Sequence, residues 1–429
     1  MSSRIAAIDP RQLAAVVDAL ESEMVGFLQE IVRIPSLTGQ EEAVQVVIAA
    51  KMRAMGLTVD VWEPDPAEMA PFARDIGEIA SFVGRPNVVG VLPAVGGGRS
   101  LILNAHIDVV DAGDPAAWST PPFAAEIVDG AVVGRGACDM KAGLAENLYA
   151  LEALRRLSLR PIGEVIVESV ISEEDGGAGT LACIVRGYKA DAAIITEPTR
   201  LAVMAAQGGS LVFRLHVPGR AAHGCVRDEG VSAIEKFWYL HRALLDFEAK
   251  RNRELTHPLY APIANKIPIS IGTVRAGSWP SSVPESLIAE GRAGLVPGED
   301  LNGFATEFIA VVDAAADADP WLREHRPSVE WFSGQFAPAE IDPDAPLVRS
   351  VLRAHEAALG EPGVIGAATY GADMRHFIHA GGIPCVMYGA GDVRVAHFTN
   401  ESVSINEIKA VVRTLAFAIA EWCGVRRIA

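Results

Sequence analysis

A chain of 429 residues, half of them apolar, exceeds what one compact core usually holds and points to two domains. The net charge of −17 argues against nucleic acid or an anionic membrane surface as partner, and no apolar run approaches the roughly eighteen residues of a membrane span. The five cysteines (Cys138, Cys183, Cys225, Cys385 and Cys423) are scattered without C-x-x-C spacing, which suits reduced residues in a cytoplasmic protein rather than a disulfide framework.

At the amino end, residues 1–12 lack a basic stretch followed by an apolar one, so no secretory leader is expected. Helical periodicity covers 10–33 and 39–55; the second helix opens with Thr38 and Glu41 at capping-box spacing and stops at Gly56. Strands are expected at 57–62, 87–92 and 101–103, then a helix over 141–157 with Leu144, Leu148 and Leu151 on one stripe. The mostly apolar runs 164–171 and 192–195 read as strands buried on both faces, so this part is a layered α/β domain with helices on both faces of its sheet.

Near residue 209 the pattern changes to a period of two, with Leu211, Phe213, Leu215 and Val217 alternating with Val212, Arg214 and His216. A helix (231–248), two strands (267–274, 287–295), a helix (301–316) and a strand (328–332) follow, giving the βαββαβ order of a ferredoxin-like unit. Beyond Pro338 the first pattern returns, with a helix at 345–359, an apolar strand at 383–388 and a last helix from Asn406. The expected organisation is therefore a catalytic α/β domain (1–208 and 335–429) interrupted by a ferredoxin-like domain (209–334).

Residues able to bind metal stand at the ends of the apolar strands, in the order His106, Asp139, Glu173–Glu174, Glu197, His397. Strands that release polar residues at one end build a single crevice, where open α/β sheets carry their chemistry. In LILNAHIDVV, Asp108 lies two residues after His106, so in extended chain both project from one face, and a carboxylate beside a ligating imidazole can fix its tautomer. A solvated polar strand end reads equally well there.

Asp139, in a Gly-rich turn before a helix, is either an ordinary N-cap or a carboxylate bridging two cations. The pair Glu173–Glu174 would ordinarily be surface charge. After a buried strand, however, its diverging side chains allow Glu174 to bind metal while Glu173 serves as general base. Glu197, before Pro198, and His397 complete two imidazoles and three carboxylates, enough ligands for two divalent cations with one bridge.

The segments His106-Ile-Asp108, Gly136-Ala-Cys-Asp-Met-Lys141, Ser172-Glu-Glu174, Thr196-Glu-Pro198, Gly219-Arg-Ala-Ala-His223, Gly371-Ala-Asp-Met-Arg375 and His397 span nearly the whole chain. As an ordered set they resemble the acetylornithine deacetylase, succinyl-diaminopimelate desuccinylase, aminoacylase and carboxypeptidase G family of dinuclear metallohydrolases (metallopeptidase family twenty). The resemblance implies one metal on His106, Asp139 and Glu197, and a second on Glu174, Asp139 and His397. It also implies Asp108 as supporting acid, Glu173 as base and a cis peptide at Asp139–Met140. By the same resemblance the inserted domain is a dimer contact and lid, and His223 reaches the partner subunit's site of a homodimer to donate to the developing oxyanion.

Two features depart from the family pattern. Its usual Asn before Val-Pro is missing from Trp279-Pro-Ser-Ser-Val-Pro284, and the spacing to Arg292 is shortened. Arg292 is either an anchor for a substrate carboxylate or a solvated edge cation, and Arg375 is a second candidate anchor. The segments 229–236 and 290–299 resemble the loosely assigned deacetylase branch more than the well-defined desuccinylases.

The expected function is metal-dependent hydrolysis of the amide bond of an N-acyl amino acid or similar small carboxylate-bearing substrate. Two cations about 3.5 Å apart would share a hydroxide, with Glu173 moving its proton to the departing amine. Mixed imidazole and carboxylate ligation suits zinc, and cobalt or manganese are tolerated by the same ligands. Rival readings are a dipeptidase or carboxypeptidase, a hydrolase of a non-amide carbon–nitrogen bond, and a non-catalytic binding protein on the same fold.

Overall fold

The computed structural model describes residues 8–77 and 81–428. The first seven residues, part of the segment read as lacking a leader, lie outside the described residues. Among the described residues no helix is long and apolar enough to cross a membrane.

Asp9 caps the first helix, Pro10–Val32, by accepting from the Arg11 amide at 2.9 Å, and Pro10 fits the first turn because that position needs no amide donor. Leu13, Val17, Leu20, Met24, Leu28 and Ile31 recur every three or four residues on its buried face. The helix packs against Ala142–Arg156, which in turn packs against Ile405–Cys423. The central helix Ala142–Arg156 has no wet face over most of its length, which explains an apolar pattern wider than one stripe.

The large sheet places strands in the order Thr58–Trp62, Asn87–Leu92, Val165–Val170, Leu101–His106, Ala193–Ile195, Cys385–Met387, Val203–Gln207 and Ala339–Glu340, with Ile365–Ala368 also pairing Val203–Gln207. Its centre is parallel: Leu101–His106 pairs in that sense with Val165–Val170 and Ala193–Ile195, and Ala193–Ile195 with Cys385–Met387. Leu101–His106 and Val165–Val170 are buried at every position, so both faces of the sheet are covered, as alternating side chains require.

Leaving this sheet at Gln207, the chain enters a four-stranded antiparallel sheet of order Ile269–Ala276, Ser286–Leu295, Gly209–Pro218, Ser328–Trp331. With helices Ala233–Glu254 and Leu301–Ala318 between the strands, this is the expected ferredoxin-like arrangement. Leu211, Phe213, Leu215 and Val217 point to the helices, and Phe213 meets Phe308 with ring centroids 4.8 Å apart. The alternate residues Val212, Arg214 and His216 lie on the wetter face, where Arg214 bonds Glu290 at 2.8 Å.

Two local expectations change. Helix two runs Glu42–Ala54, and the Thr38/Glu41 pair is not its capping box. Thr38 Oγ1 instead donates to Asp108 at 3.1 Å, and the Glu41 carboxylate takes the Arg85 guanidinium in a buried ion pair. A hairpin, Glu126–Val128 and Ala131–Val133, was also unanticipated; it turns through Asp129–Gly130, both at positive φ, a two-residue turn signal that lay in plain sight.

Lys141 is fully buried, and its ammonium donates to the carbonyls of Ile31 (2.8 Å) and Ile34 (2.9 Å) at the carboxyl end of the first helix. Replacing it by Met strips two buried acceptors of their partner, so we expect Lys141→Met to lose about 2–3 kcal/mol in urea melts. An unchanged midpoint would show that these bonds contribute nothing.

Candidate metal centre

The four parallel strands end at one edge of the sheet, and the expected residues gather there. His106 is the last residue of its strand; Glu173–Glu174 follow Val170, Glu197 follows Ile195, and the loop after Met387 brings in His397. Asp139 enters from the turn ahead of helix Ala142–Arg156. Gly136 makes that turn: its φ is +79°, and an added Cβ would lie 2.3 Å from Val109 Cγ1. The Asp139–Met140 peptide is cis, as the resemblance implied.

The Asp139 carboxylate presents one oxygen to each imidazole. Oδ1 lies 3.1 Å from His106 Nε2, and Oδ2 lies 3.4 Å from His397 Nε2. Glu174 Oε1 is 3.0 Å from His397 Nε2, while Glu197 Oε1 is 3.9 Å from His106 Nε2. Ligand atoms of His106, Asp139 and Glu174 all fall within 4.8 Å of one another. The His106 side chain is 1% exposed and that of His397 52%, so the cluster is closed at its floor and open at the His397 side.

Its electrostatics are those of too many acids for two imidazoles. Burial pushes Glu173 and Glu197 well above the ordinary carboxylate range, and pushes Glu174 up with help from neighbouring Asp139. Burial opposes the charge on His106, yet the bond to Asp139 and the surrounding carboxylates outweigh it and raise the imidazole. His397 is pushed up to about 10 by its bonds to Asp139 and Glu174. For Asp139 burial acts upward, but the two imidazoles prevail and hold it low. Convergent imidazole nitrogens and carboxylate oxygens with surplus negative charge fit divalent metal.

Asp108 holds two parts of the cluster at once. His106 Nδ1 donates to the main-chain carbonyl of Asp108 at 2.9 Å, and the nearer carboxylate oxygen is 3.6 Å away. That carboxylate is taken up by the amides of Glu173 (3.1 Å) and Glu174 (3.2 Å) and by Thr38 Oγ1. One residue therefore fixes the His106 ring through its backbone and the Glu173–Glu174 backbone through its side chain. Among the described residues the Glu173 carboxylate makes no hydrogen bond, so it is not consumed by the protein.

Glu401 escaped sequence reasoning. Fully buried, it accepts from the amides of Cys138 (2.9 Å) and Asp139 (3.0 Å) and pairs with Arg135. Its only sequence trace is an acid shortly after His397, in His-Phe-Thr-Asn-Glu401. Tyr370 escaped it too: among the described residues its buried hydroxyl has no partner, and burial, then Glu197 and Asp139, push its pKa well up. Its sequence trace is its place directly before the Gly371-Ala-Asp-Met-Arg375 segment.

Among the described residues the three remaining candidates make no hydrogen bond or ion pair to these side chains, and Arg375 acts on Glu173 through its charge. His223 is exposed on the loop after Gly209–Pro218, with Nδ1 2.9 Å from Cys225 Sγ. Arg292 is half-buried on Ser286–Leu295, and among the described residues no carboxylate pairs with it; burial lowers its pKa. The Arg375 guanidinium is buried, and its two terminal nitrogens donate to the carbonyls of Asp75, Gln335 and Gly176, at 3.1, 2.5 and 2.5 Å, which ties three loops together; among the described residues its Nε has no partner.

Comparison with known proteins agrees with the geometry. Residues 102–421 match Peptidase family M20/M25/M40. The N-formyl-4-amino-5-aminomethyl-2-methylpyrimidine deformylase of Bacillus subtilis (strain 168) is 30% identical over 403 residues, covering 89% of this chain and 90% of the relative. Acetylornithine deacetylase of Myxococcus xanthus is 28% identical over 365 residues, covering 84% of this chain and 89% of that enzyme. Among solved structures, the dipeptidase Dug1p of Saccharomyces cerevisiae shares the fold with a TM-score of 0.77 at 15% identity, covering 97% of this chain and 98% of the other. Human carnosine dipeptidase 1 does so with 0.76 at 16% identity, covering 96% and 98%. This chain belongs to peptidase family M20/M25/M40 and is a hydrolase acting on carbon–nitrogen bonds.

Proposed function

We propose that the chain removes the acyl group from a small N-acyl amine or amino acid, with Glu173 as proton carrier. The observation that carries this reading is the Asp139 carboxylate, whose two oxygens face two different imidazoles at 3.1 and 3.4 Å. His106, Asp139 and Glu197 would hold one divalent cation, and Glu174, Asp139 and His397 a second. Zinc suits these donors best, and cobalt and manganese also fit. Cations held there supply Lewis acidity toward the scissile carbonyl and the attacking water.

The protein's own residues do the rest. Glu173, uncommitted to any protein donor and with its backbone pinned by Asp108, accepts the proton of the attacking water at its carboxylate. It returns that proton to the departing nitrogen. Burial of the floor around His106 keeps bulk water from the far side of the cluster.

We read 209–334 as a dimerisation and lid domain inserted between 1–208 and 335–429. Ile234, Trp238 and Leu245 are exposed along one stripe of Ala233–Glu254, and Tyr239 is exposed beside them. Ile269–Ala276 is the outer strand of its sheet, with Val274 exposed. These features support a homodimer in which the partner copy of His223 donates to the tetrahedral oxyanion. Among the described residues the five cysteines form no disulfide, which supports a reducing, cytoplasmic setting.

Arg292, with no acidic partner among the described residues, supports a carboxylate on the substrate. A second reading is favoured by the 30% identity to the pyrimidine deformylase, which points to a formyl group on an amine that carries no carboxylate.

Three measurements test these assignments. Glu173→Gln should lose more than about 100-fold in kcat, with metal content by elemental analysis nearly unchanged; a fully active variant refutes its role. A panel of N-formyl and N-acetyl amino acids, dipeptides and N-formyl aminomethylpyrimidine identifies the substrate class. On that panel Arg292→Ala should raise KM about tenfold or more for amino-acid substrates only, whereas an equal change for both classes removes Arg292 from the carboxylate site. Trp238→Glu should convert a dimer to monomers in sedimentation and cut activity to the level of His223→Ala, and a dimer left intact contradicts the assigned interface.

A further inference from the structure

The loop Gly219–Glu229 gives His223 more than a position. The His223 backbone pairs with Ser282, and the next amide, Gly224, donates to the Ser281 carbonyl at 2.7 Å, so the residue is tied to a neighbouring segment on both sides. Its own carbonyl accepts from the Val226 amide at 2.9 Å. The ring is then held from within the turn: the Cys225 amide donates to His223 Nδ1 at 3.2 Å, and Cys225 Sγ lies 2.9 Å from the same nitrogen.

A backbone amide donates and cannot accept. Nδ1 must therefore be the bare nitrogen of the neutral ring, and the thiol, which donates or accepts, is left to donate as well. With Nδ1 occupied by two donors, the ring proton sits on Nε2, at the exposed end of the side chain. That is the tautomer needed to offer a hydrogen bond outward. The opposite tautomer would turn a lone pair toward any oxyanion and repel it.

We propose that Cys225 is a positioning residue that holds His223 as the Nε2–H tautomer, ready to donate to a substrate oxygen. This rests on the reading of His223 given above, and it adds the device that makes that role chemically possible. Of the five cysteines, Cys225 is exposed and the other four are buried, so a thiol reagent addresses it selectively in the folded protein.

The test uses the full-length, metal-loaded protein labelled with 15N-histidine, with His223→Gln to assign the resonance. Near pH 8.5, where an ordinary imidazole is neutral, His223 should show a bare Nδ1 and a protonated Nε2. The reverse pattern overturns the proposal whatever the activity. Cys225→Ala, which removes the thiol donor alone, should lower kcat roughly three- to tenfold with KM held within about twofold, and Cys225→Ser should restore it.

Cys225→Pro, placed in the first turn of the short helical segment Gly224–Glu229 that His223 caps, where proline is accommodated, removes both donors and should give mixed tautomers with a larger loss of kcat. Capping the thiol with methyl methanethiosulfonate should reproduce Cys225→Ala in the native protein and leave Cys225→Ser unaffected. Native kcat and an unmixed Nε2–H signal in both Cys225→Ala and Cys225→Pro would refute the positioning role. Full activity of His223→Ala would instead refute the catalytic reading of His223, and the resonance pattern would still judge the tautomer on its own.

Discussion

Two imidazoles from distant parts of the chain meet the two oxygens of one carboxylate, and the architecture around them serves that meeting. His106 arrives on a central strand and His397 from a loop nearly three hundred residues later, while Asp139 stands between them in a turn that only Gly136 permits. Gathering Asp139, Glu173, Glu174 and Glu197 in a buried pocket is costly without compensating charge. The imidazoles compensate part of it; divalent cations would compensate the rest, so the acid surplus of the bare protein is itself a description of what the pocket is built to hold.

Holding those acids in place falls to two other carboxylates that never face the cluster's centre. Asp108 gathers the amides of Glu173 and Glu174, and Glu401 gathers those of Cys138 and Asp139. Each anchors backbone rather than side chain, so the functional groups inherit their direction from a fixed main chain. Beneath them a buried chain of bonds runs from Glu168 through Asn104 and Thr180 to Asp373, joining two strands, a helix and the loop that carries Arg375. Glu168 is pushed up to about 8 by burial, consistent with a protonated, structural role.

Most of the residues that gather at the cluster were legible because they follow apolar strands, and strand ends in a parallel sheet share one edge. The ferredoxin-like unit was legible because its alternation at 211–217 differs so plainly from the continuous apolar runs on either side. What stayed hidden depended on long-range geometry. Glu401 reads as one more acid in a loop, and only folding brings it to the Asp139 amide across 262 positions of sequence. Thr38 and Glu41 had capping-box spacing, but tertiary partners, Asp108 and Arg85, took both side chains. Arg375 stands in a site motif, yet a motif gives proximity and not direction, and its bonds to three carbonyls show only in the fold.

If the single carboxylate of Asp139 joins two cation positions, its loss should empty both. Anomalous diffraction at the zinc edge, from crystals of protein grown with excess zinc and no chelator, reads this out. Two peaks per chain are expected, one on each side of Asp139, both absent in Asp139→Ala. A single peak, or two peaks that persist in Asp139→Ala, would contradict that role of Asp139.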